Sequence, residues 1–184
     1  MPSIGAIILA GGKSYRMGQD KANMYVNGVR MIDAVITTVS PFVSEILIST
    51  NNDKHAIYNL PLVFDEHNNK GPLAGIQAGL LKSTTESCIV LSCDIPFING
   101  TIIDRLQSDH ILNDADITIA SCNGKTHPLC GVYQKKNLLV ISELLAQDIC
   151  KMHTALSYFK VKILDFPIEY ADHFKNVNTL DDLN

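Results

Sequence analysis

The sequence has little of what marks secreted, membrane or nucleic-acid-binding proteins. Its five scattered cysteines contain no Cys-x-x-Cys pair, which argues against a disulfide framework and a zinc knuckle. A formal net charge of −4 gives no field that would hold a polyanion, so any phosphate must be bound locally. The apolar run at residues 4–10 has no basic residue before it and is far too short to span a bilayer. We therefore expect a cytoplasmic protein that binds neither nucleic acid nor membrane.

Nothing in the sequence divides the chain into separate domains. It contains no Pro/Gly/Ser-rich linker, internal repeat or low-complexity tract. A length of 184 residues is close to that of one ordinary domain, and a content of 46% hydrophobic and 18% charged residues is typical of folded proteins. We expect one globular domain over residues 1–184.

Apolar, β-branched runs alternate along the chain with segments of helical periodicity. Strands are predicted at residues 6–9, 45–50, 62–64, 88–92, 116–120, 128–133 and 161–166. Helices are predicted at residues 30–39, 73–81, 101–107 and 137–147. Several strands are apolar on both faces, as the central strands of a covered sheet are. The alternation predicts an α/β fold, a three-layer αβα sandwich around a mostly parallel central sheet.

The stretch LAGGKSYRMGQDK, residues 9–21, combines glycines with basic side chains directly after the first predicted strand. In open α/β sheets, ligands bind where loops leave the carboxyl ends of the strands. Gly11 and Gly12 let the backbone approach a ligand closely, and the N–H groups of such a turn can hold an anion. Three cations follow, Lys13, Arg16 and Lys21. The stretch predicts a phosphate-binding loop that is neither a P-loop nor a Rossmann fingerprint; the alternative is a solvated glycine turn with surface cations.

The third predicted strand also ends in polar and small residues. Asp65 follows it directly, and Gly71, Pro72 and Leu73 open the next helix after a polar loop. A helix N-terminus of small residues is a favourable place for backbone groups to meet a polar ligand. This segment is the second candidate for ligand binding.

Asp94 stands immediately after the buried apolar run of the fourth predicted strand and ahead of Pro96. A carboxylate there is costly unless it faces water, a cation or a partner. Magnesium binds through one or two carboxylates together with phosphate oxygens and water, so one firmly placed aspartate is enough to predict a Mg²⁺ site. The alternative is an Asx turn or a helix N-cap.

Asn176 and Asn178 lie two residues apart near the C-terminus and fall on the same side of an extended segment. Their amide groups could orient a phosphate or a metal-bound water. Two turn-forming asparagines are an equally good interpretation of the pattern alone.

Five segments, in this order and spacing, resemble the molybdenum cofactor guanylyltransferases, the MobA family, over nearly the whole chain. They are LAGGKSYRMGQDKANMYVNG, DEHNNKGPLAGIQAGL, CDIPFI, HPLCGVY and FKNVNTLDDL. The first is the most specific, because related nucleotidyltransferases for sugars and isoprenoid precursors share only a looser form of it. Asn23 and Met24 depart from the family, which has apolar residues such as Leu at these positions. The resemblance implies a Rossmann-like nucleotidyltransferase fold with a nucleotide-binding N-terminal half and an acceptor-binding C-terminal half.

The resemblance implies transfer of GMP from GTP to the phosphate of Mo-molybdopterin, with Mg²⁺ and release of pyrophosphate. By position in the motifs, the nucleotide would meet the backbone of four residues, Leu9, Ala10, Gly11 and Gly12. Lys21 would lie on the phosphates, Asp65 would help to hold the guanosine, and Asp94 would bind Mg²⁺. The family's base-contacting asparagine ends the second strand, where the run STNND allows Thr50, Asn51 or Asn52; we assign Asn51.

The residues and the resemblance imply the same mechanism. The acceptor phosphate is already a nucleophile as an anion, so no Ser-His-Asp or Cys-His arrangement is required. Lys21 and Arg16 are expected to offset charge that develops on the α-phosphoryl group and the departing pyrophosphate. Two alternatives stay open: a cytidylyltransferase for molybdopterin or another phosphorylated acceptor, and a non-catalytic nucleotide-binding or interaction module. The product is expected to pass to a cofactor chaperone or an apo-molybdoenzyme.

Overall fold

The structure, a computed structural model, describes residues 3–11, 22, 24–65 and 70–177. Its strands are β1 (Gly5–Leu9), β2 (Tyr25–Val26), β3 (Val29–Arg30), β4 (Glu45–Ser49), β5 (Leu62–Val63), β6 (Ser87–Ser92), β7 (Ile117–Cys122), β8 (Lys125–Gln134) and β9 (Val161–Phe166). Its α-helices are α1 (Met31–Val39), α2 (Pro72–Lys82), α3 (Gly100–Leu112), α4 (Leu138–Ala146) and α5 (Met152–Leu156). Short 3₁₀ helices connect several of these elements, among them Asp53–Tyr58 and Ile168–Phe174.

Seven strands form one sheet in the order β5-β4-β1-β6-β8-β7-β9, and β2 pairs with β3 in a separate hairpin. Neighbours within β5-β4-β1-β6 are parallel, as are β7 and β9, whereas β8 is antiparallel to both β6 and β7. Leu9 of β1 pairs with Ser49 of β4 and with Ser92 of β6, so these three strands end at the same level. The predicted mostly parallel sheet is confirmed.

A hydrophobic core lies on each face of the sheet. In β1, Ala6 and Ile8 belong to the core under α1 and α3, while Ile7 and Leu9 belong to the core under α2, α4 and α5. Successive side chains of a strand point to opposite faces, so a strand covered on both sides is apolar throughout. This arrangement confirms the predicted three-layer sandwich. None of the helices in the described ranges is long and apolar enough to cross a membrane.

Helix α2 approaches the sheet closely because two of its residues lack a side chain. A Cβ atom at Gly79 would lie 2.6 Å from Cδ1 of Ile7, and one at Gly75 would lie 2.6 Å from Oγ of Ser49. Contacts this short are sterically forbidden, so only glycine allows the helix to sit at this distance over β1 and β4. The close packing fixes where α2 begins, at the carboxyl edge of the sheet.

Several elements differ from the sequence-based prediction. The hairpin of β2 and β3 was not predicted, and neither was α5, which is only five residues long. Strand β8 begins at Lys125 instead of residue 128, because the turn at Asn123 and Gly124 lets its polar first residues pair with β7. Helix α3 continues to Leu112 instead of residue 107, and there His110 hydrogen-bonds Oγ1 of Thr118 over 2.9 Å.

Strand β8 is interrupted by a bulge opposite β7. Ile119 of β7 pairs with Gly131, but the next residue, Ala120, pairs with His127. Residues 128–130 of β8 therefore lie opposite no residue of β7 in this register, and such insertions bend a strand and re-aim its side chains. The first part of β8 extends past the carboxyl edge of β6 as one arm of the β7–β8 hairpin.

Candidate active site

The residues singled out in the sequence converge at the carboxyl edge of the parallel strands. The last paired residues of adjacent strands are Val63, Ser49, Leu9 and Ser92. Two positions further along the same four segments stand Asp65, Asn51, Gly11 and Asp94. Polar groups from β5, β4 and β6 thus flank the glycine that follows β1, which is the placement expected for a ligand site in an open α/β sheet.

The backbone after β1 is held between its two neighbours. The amide of Ala10 donates to the carbonyl of Ser49 over 2.8 Å, and the carbonyl of Leu9 accepts from the amide of Cys93 over 3.1 Å. These bonds extend the β1 pairing beyond the strand. Gly11 lies beside Thr50, with room for a side chain between them, since a Cβ there would lie 3.8 Å from Cα of Thr50.

Asn51 and Asp65 form a polar pair beside this backbone. Nδ2 of Asn51 donates to Oδ2 of Asp65 over 3.4 Å. The other carboxylate oxygen, Oδ1 of Asp65, is buried and has no hydrogen-bond partner within the described part of the chain. A buried acceptor without a donor costs free energy, so a ligand that donates to this oxygen would be favoured.

The structure distinguishes the three residues that could end the second predicted strand. Thr50 is buried, and its amide donates to the carbonyl of Val63. Its Oγ1 lies 2.8 Å from Nδ1 of the buried His55 and also accepts from the amide of Asn52. The hydroxyl of Thr50 is thus engaged within the fold. The side chain of Asn51 is exposed and lies beside Asp65.

The predicted segment before α2 forms the first turn of that helix. Gly71 has a φ of 69° and a ψ of −164°, a conformation that is essentially restricted to glycine. Pro72 has no N–H, and the side chain of Leu73 is buried in the core under α2. At Leu73, therefore, only backbone groups can meet a ligand.

A cleft of about 220 Å³ lies on the other side of Asp94. It is formed by the end of β6, the first part of β8, α5 and the C-terminal segment, which contribute Asp94, Lys125, Thr126, His127, His153 and Asn176. Nδ2 of Asn176 lies 3.4 Å from Oδ2 of Asp94, and the amide of Val177 donates to the Asp94 carbonyl over 2.8 Å. The structure thus joins two residues that the sequence singled out separately.

The imidazole of His127 is stacked on the ring of Phe174, with 4.6 Å between the ring centroids and 24° between the planes. Burial, together with the charge of Lys125, lowers the pKa of His127 below its usual value. The imidazole is therefore neutral at neutral pH. The stack ties β8 to the segment that carries Asn176.

Asp94 supplies the carboxylate and Asn176 the amide side chain among the residues that line the cleft. The described residues contain no group of three or more His, Cys, Asp or Glu side chains that could hold a metal ion. A protein-only metal cage is thus not formed by this part of the chain. One carboxylate held by an amide side chain does fit Mg²⁺, which keeps several waters and completes its coordination with substrate phosphate oxygens.

Four of the predicted site residues, Gly12, Arg16, Lys21 and Asn178, lie outside the described residues. The sequence analysis also missed three residues of the cleft, Lys125, Thr126 and His153. The Asn123–Gly124 turn was the available signal for the first two, because Asn-Gly between strands marks a hairpin. His153 carries no comparable signal, since its position depends on the tertiary placement of α5.

Comparison with known proteins covers nearly the whole chain. Residues 6–157 match the family model of the MobA-like NTP transferase domain. The chain is 34% identical to the "Probable molybdenum cofactor guanylyltransferase" of Carboxydothermus hydrogenoformans, over 97% of this chain and 92% of that protein. The same identity relates it to the protein of that name from Flavobacterium johnsoniae, over 100% of this chain and 96% of the other.

A solved structure shares the fold over the same extent. The crystal structure of Molybdopterin-guanine dinucleotide biosynthesis protein A from Archaeoglobus fulgidus superposes with a TM-score of 0.81 and 26% identity, covering 98% of this chain and 95% of that chain. The strand ends and the cleft described above both lie within the matched region.

Proposed function

We propose that this chain, which belongs to the molybdenum cofactor guanylyltransferase family of MobA-like NTP transferases, transfers GMP from GTP to the phosphate of Mo-molybdopterin. An oxygen of the acceptor phosphate attacks the α-phosphorus of GTP, and the bond from that phosphorus to the bridging oxygen of the β-phosphate breaks. The electron pair leaves with pyrophosphate, and the product is the molybdopterin guanine dinucleotide cofactor.

One observation carries this proposal: two polar pairs lie at one sheet edge, on either side of β1. The Asn51–Asp65 pair follows β4 and β5, whereas the Asp94–Asn176 pair follows β6 and opens into the cleft. A nucleoside at the first pair and an acceptor in the cleft would bring their phosphates together beside Gly11. Holding both reactants in line is the main requirement for phosphoryl and nucleotidyl transfer.

Asp65 suits the guanosine part of the substrate. Its buried Oδ1 lacks a donor among the described residues, and guanosine offers N–H and O–H donors. A ligand donor would satisfy the oxygen and remove the cost of burying it. Ala10 already donates its amide to Ser49, so its contact with the nucleotide would be made by its carbonyl.

We also propose that Asp94 holds Mg²⁺, with Asn176 beside it. Bound there, Mg²⁺ neutralises charge on phosphate oxygens. Asp94 supplies the charged oxygen, while Asn176 and the amide of Val177 hold the aspartate in place. Lys21 and Arg16, assigned from the sequence, would offset the charge on the α-phosphoryl group and on pyrophosphate.

The acceptor does not need a protein base, because a phosphate anion is already a nucleophile at neutral pH. The neutral His127 lines the cleft and is available as a hydrogen-bonding group toward the acceptor.

We further propose that the finished cofactor passes directly to a chaperone or apo-molybdoenzyme, since a metal cofactor of this kind is labile. Sedimentation of the product-loaded protein with such a partner tests the transfer, and independent sedimentation of the two contradicts it.

The first test is calorimetric titration with GTP, CTP, ATP and UTP in the presence of Mg²⁺, followed by assay of pyrophosphate release with Mo-molybdopterin. Selective GTP binding and pyrophosphate release that depends on the acceptor are expected. A preference for CTP would instead assign the chain to cytidylyl transfer, and the absence of binding to all four nucleotides would contradict an enzymatic role.

A further inference from the structure

Lys70, the residue before the first turn of α2, reaches a distant part of the fold. Its Nζ donates to the carbonyl of Leu145 over 2.7 Å and pairs with Oδ1 of Asp148 over 2.9 Å. The side chain is mostly buried, with 27% of its surface exposed. The side chain is directed toward the end of α4.

The target of Lys70 is a well-defined corner between α4 and α5, which we call the α4–α5 corner, residues 145–150. The amide of Asp148 donates to Leu145, and the amide of Ile149 donates to Leu144 over 2.9 Å, so the helix closes with a compact turn. A cation is favourable at the carboxyl end of a helix, where the last carbonyls carry partial negative charge. Lys70 therefore binds a rigid, electrostatically matched anchor.

The same corner lies beside the residue that follows Lys70. A Cβ atom at Gly71 would lie 3.8 Å from the carbonyl oxygen of Cys150. The chain before α2 thus runs alongside this segment, and Lys70 bonds the two together. Beyond the corner, α5 begins at Met152 and places His153 in the cleft beside Asp94.

We propose that Lys70 is a positioning residue for the nucleotide, because it fixes the first turn of α2 to the α4–α5 corner. This inference rests on the proposed function, in which GTP meets the backbone of that turn. Without the anchor, the backbone groups at Gly71 and Leu73 sample more conformations, and GTP binding has to order them. Lys70 acts through these groups and does not itself contact the phosphates.

The test compares Lys70→Met with Lys136→Met. Lys136 forms an ion pair of similar length with Asp116, at 3.0 Å, and its substitution controls for the loss of a surface charge. The amide of Ala74 donates to the carbonyl of Gly71 over 3.3 Å, and its hydrogen exchange should become several-fold faster in Lys70→Met and stay unchanged in Lys136→Met. Unchanged exchange at this turn in Lys70→Met would overturn the proposal.

Kinetics provide the second readout. In Lys70→Met, KM for GTP with Mg²⁺ should rise roughly three- to tenfold, the size expected for an ion pair combined with a helix-end contact, while kcat changes less. Asp148→Asn should raise KM in the same direction but less, because the bond to Leu145 remains. If Asp148→Asn lowers KM instead, Lys70 contacts the phosphates directly and the positioning role is wrong.

The two readouts separate this inference from the proposed function. If the wild-type protein neither binds nor uses GTP, the proposed function fails, whereas the exchange measurement still decides whether Lys70 anchors the turn. If the wild-type protein uses GTP and Lys70→Met matches it in both exchange and KM, the inference fails alone.

Discussion

Asn176 lies beside Asp94 with 3.4 Å between Nδ2 and Oδ2, although 82 residues separate them in the chain. The adjacent amide of Val177 bonds the carbonyl of the same aspartate over 2.8 Å. The C-terminal segment therefore holds the end of β6 from one side while β8 covers it from the other. Asp94 lies between the carboxyl edge of the parallel strands, where the nucleotide is proposed to bind, and the cleft.

Asp94→Asn should fold normally but lose Mg²⁺-dependent turnover, because the amide keeps the shape of the side chain and removes its charge. The rate of pyrophosphate release is measured as a function of Mg²⁺ concentration, with circular dichroism to verify folding. Asp114→Asn, which removes an exposed carboxylate paired with Lys160, is the matched control. An unaltered Mg²⁺ dependence in Asp94→Asn would show that Asp94 is structural.

Lys21→Ala should lower kcat by roughly 10²–10³, by analogy with the loss of one preorganised group that stabilises developing charge. Single-turnover measurement at saturating GTP isolates the chemical step from nucleotide binding. Lys160→Ala serves as the control, since its ammonium pairs with Asp114 on the surface. A Lys21→Ala protein that retains more than half of the normal turnover is incompatible with the assigned role.

Asp65→Asn should raise the Kd for GTP roughly tenfold to a hundredfold, the range expected when a hydrogen bond to a charged group is lost. The asparagine also introduces a donor where the ligand is expected to donate. Calorimetric titration with GTP and Mg²⁺ measures the change. Asp53→Asn tests for general effects of charge nearby, and equal affinities of Asp65→Asn and wild type would exclude Asp65 from the nucleotide site.

The stability of the protein should decrease as the pH falls through the range just below 6.5, in part because of His127. Burial lowers the pKa of His127 in the folded state, so the unfolded chain takes up a proton at a higher pH than the folded chain does. Proton uptake by the unfolded state alone favours unfolding. His127→Phe, which keeps an aromatic ring against Phe174, should flatten the dependence of unfolding free energy on pH. Urea titrations at several pH values measure this slope, and an unchanged slope would contradict the assignment.

Gly79→Ala should destabilise the protein by about 1–3 kcal/mol, the usual cost of adding a methyl group to a packed core. The added carbon would meet Cδ1 of Ile7 at 2.6 Å. Ile7→Ala removes Cδ1 together with Cγ1 and Cγ2, which the added carbon would meet at 2.7 and 2.8 Å, so the double variant should recover part of the loss relative to the sum of the single variants. Additive losses measured by thermal unfolding would show that α2 shifts away from β1 instead.

The sequence was sufficient for the parts of the fold that depend on local pattern. The apolar runs of β1, β4 and β6 identified the central strands, and the residues after them, including Asp65 and Asp94, are at the predicted edge. The sequence was insufficient where the position of a strand end or a side chain depends on contacts with residues remote in the chain. The first residues of β8 are polar and pair only through the hairpin, and His153 is carried to the cleft by a five-residue helix.

The contact between Asn176 and Asp94 also depends on residues that are remote in the chain. The spacing of Asn176 and Asn178 identified Asn176 as a candidate site residue, but it did not indicate that Asp94 is its partner. Lys70 is a second example, because nothing in the sequence indicates that its ammonium lies at the carbonyl of Leu145, 75 residues away. Long-range polar contacts of this kind arise from packing and leave no period in the sequence.

The bulge in β8 divides the strand into one part that borders the cleft and one part that belongs to the core of the sheet. Residues 125–129 are partly or fully exposed and border the cleft, whereas residues 130–133 are buried in the sheet. The hydroxyl of Tyr133 donates to the carbonyl of Pro128 over 2.7 Å and so links the two parts of the strand. Lys125 and Thr126, which belong to neither core, can therefore be exchanged without repacking it. An enzyme with this layout can be adapted to a different acceptor by changes at the start of one hairpin arm, while the strands that present the nucleotide stay as they are.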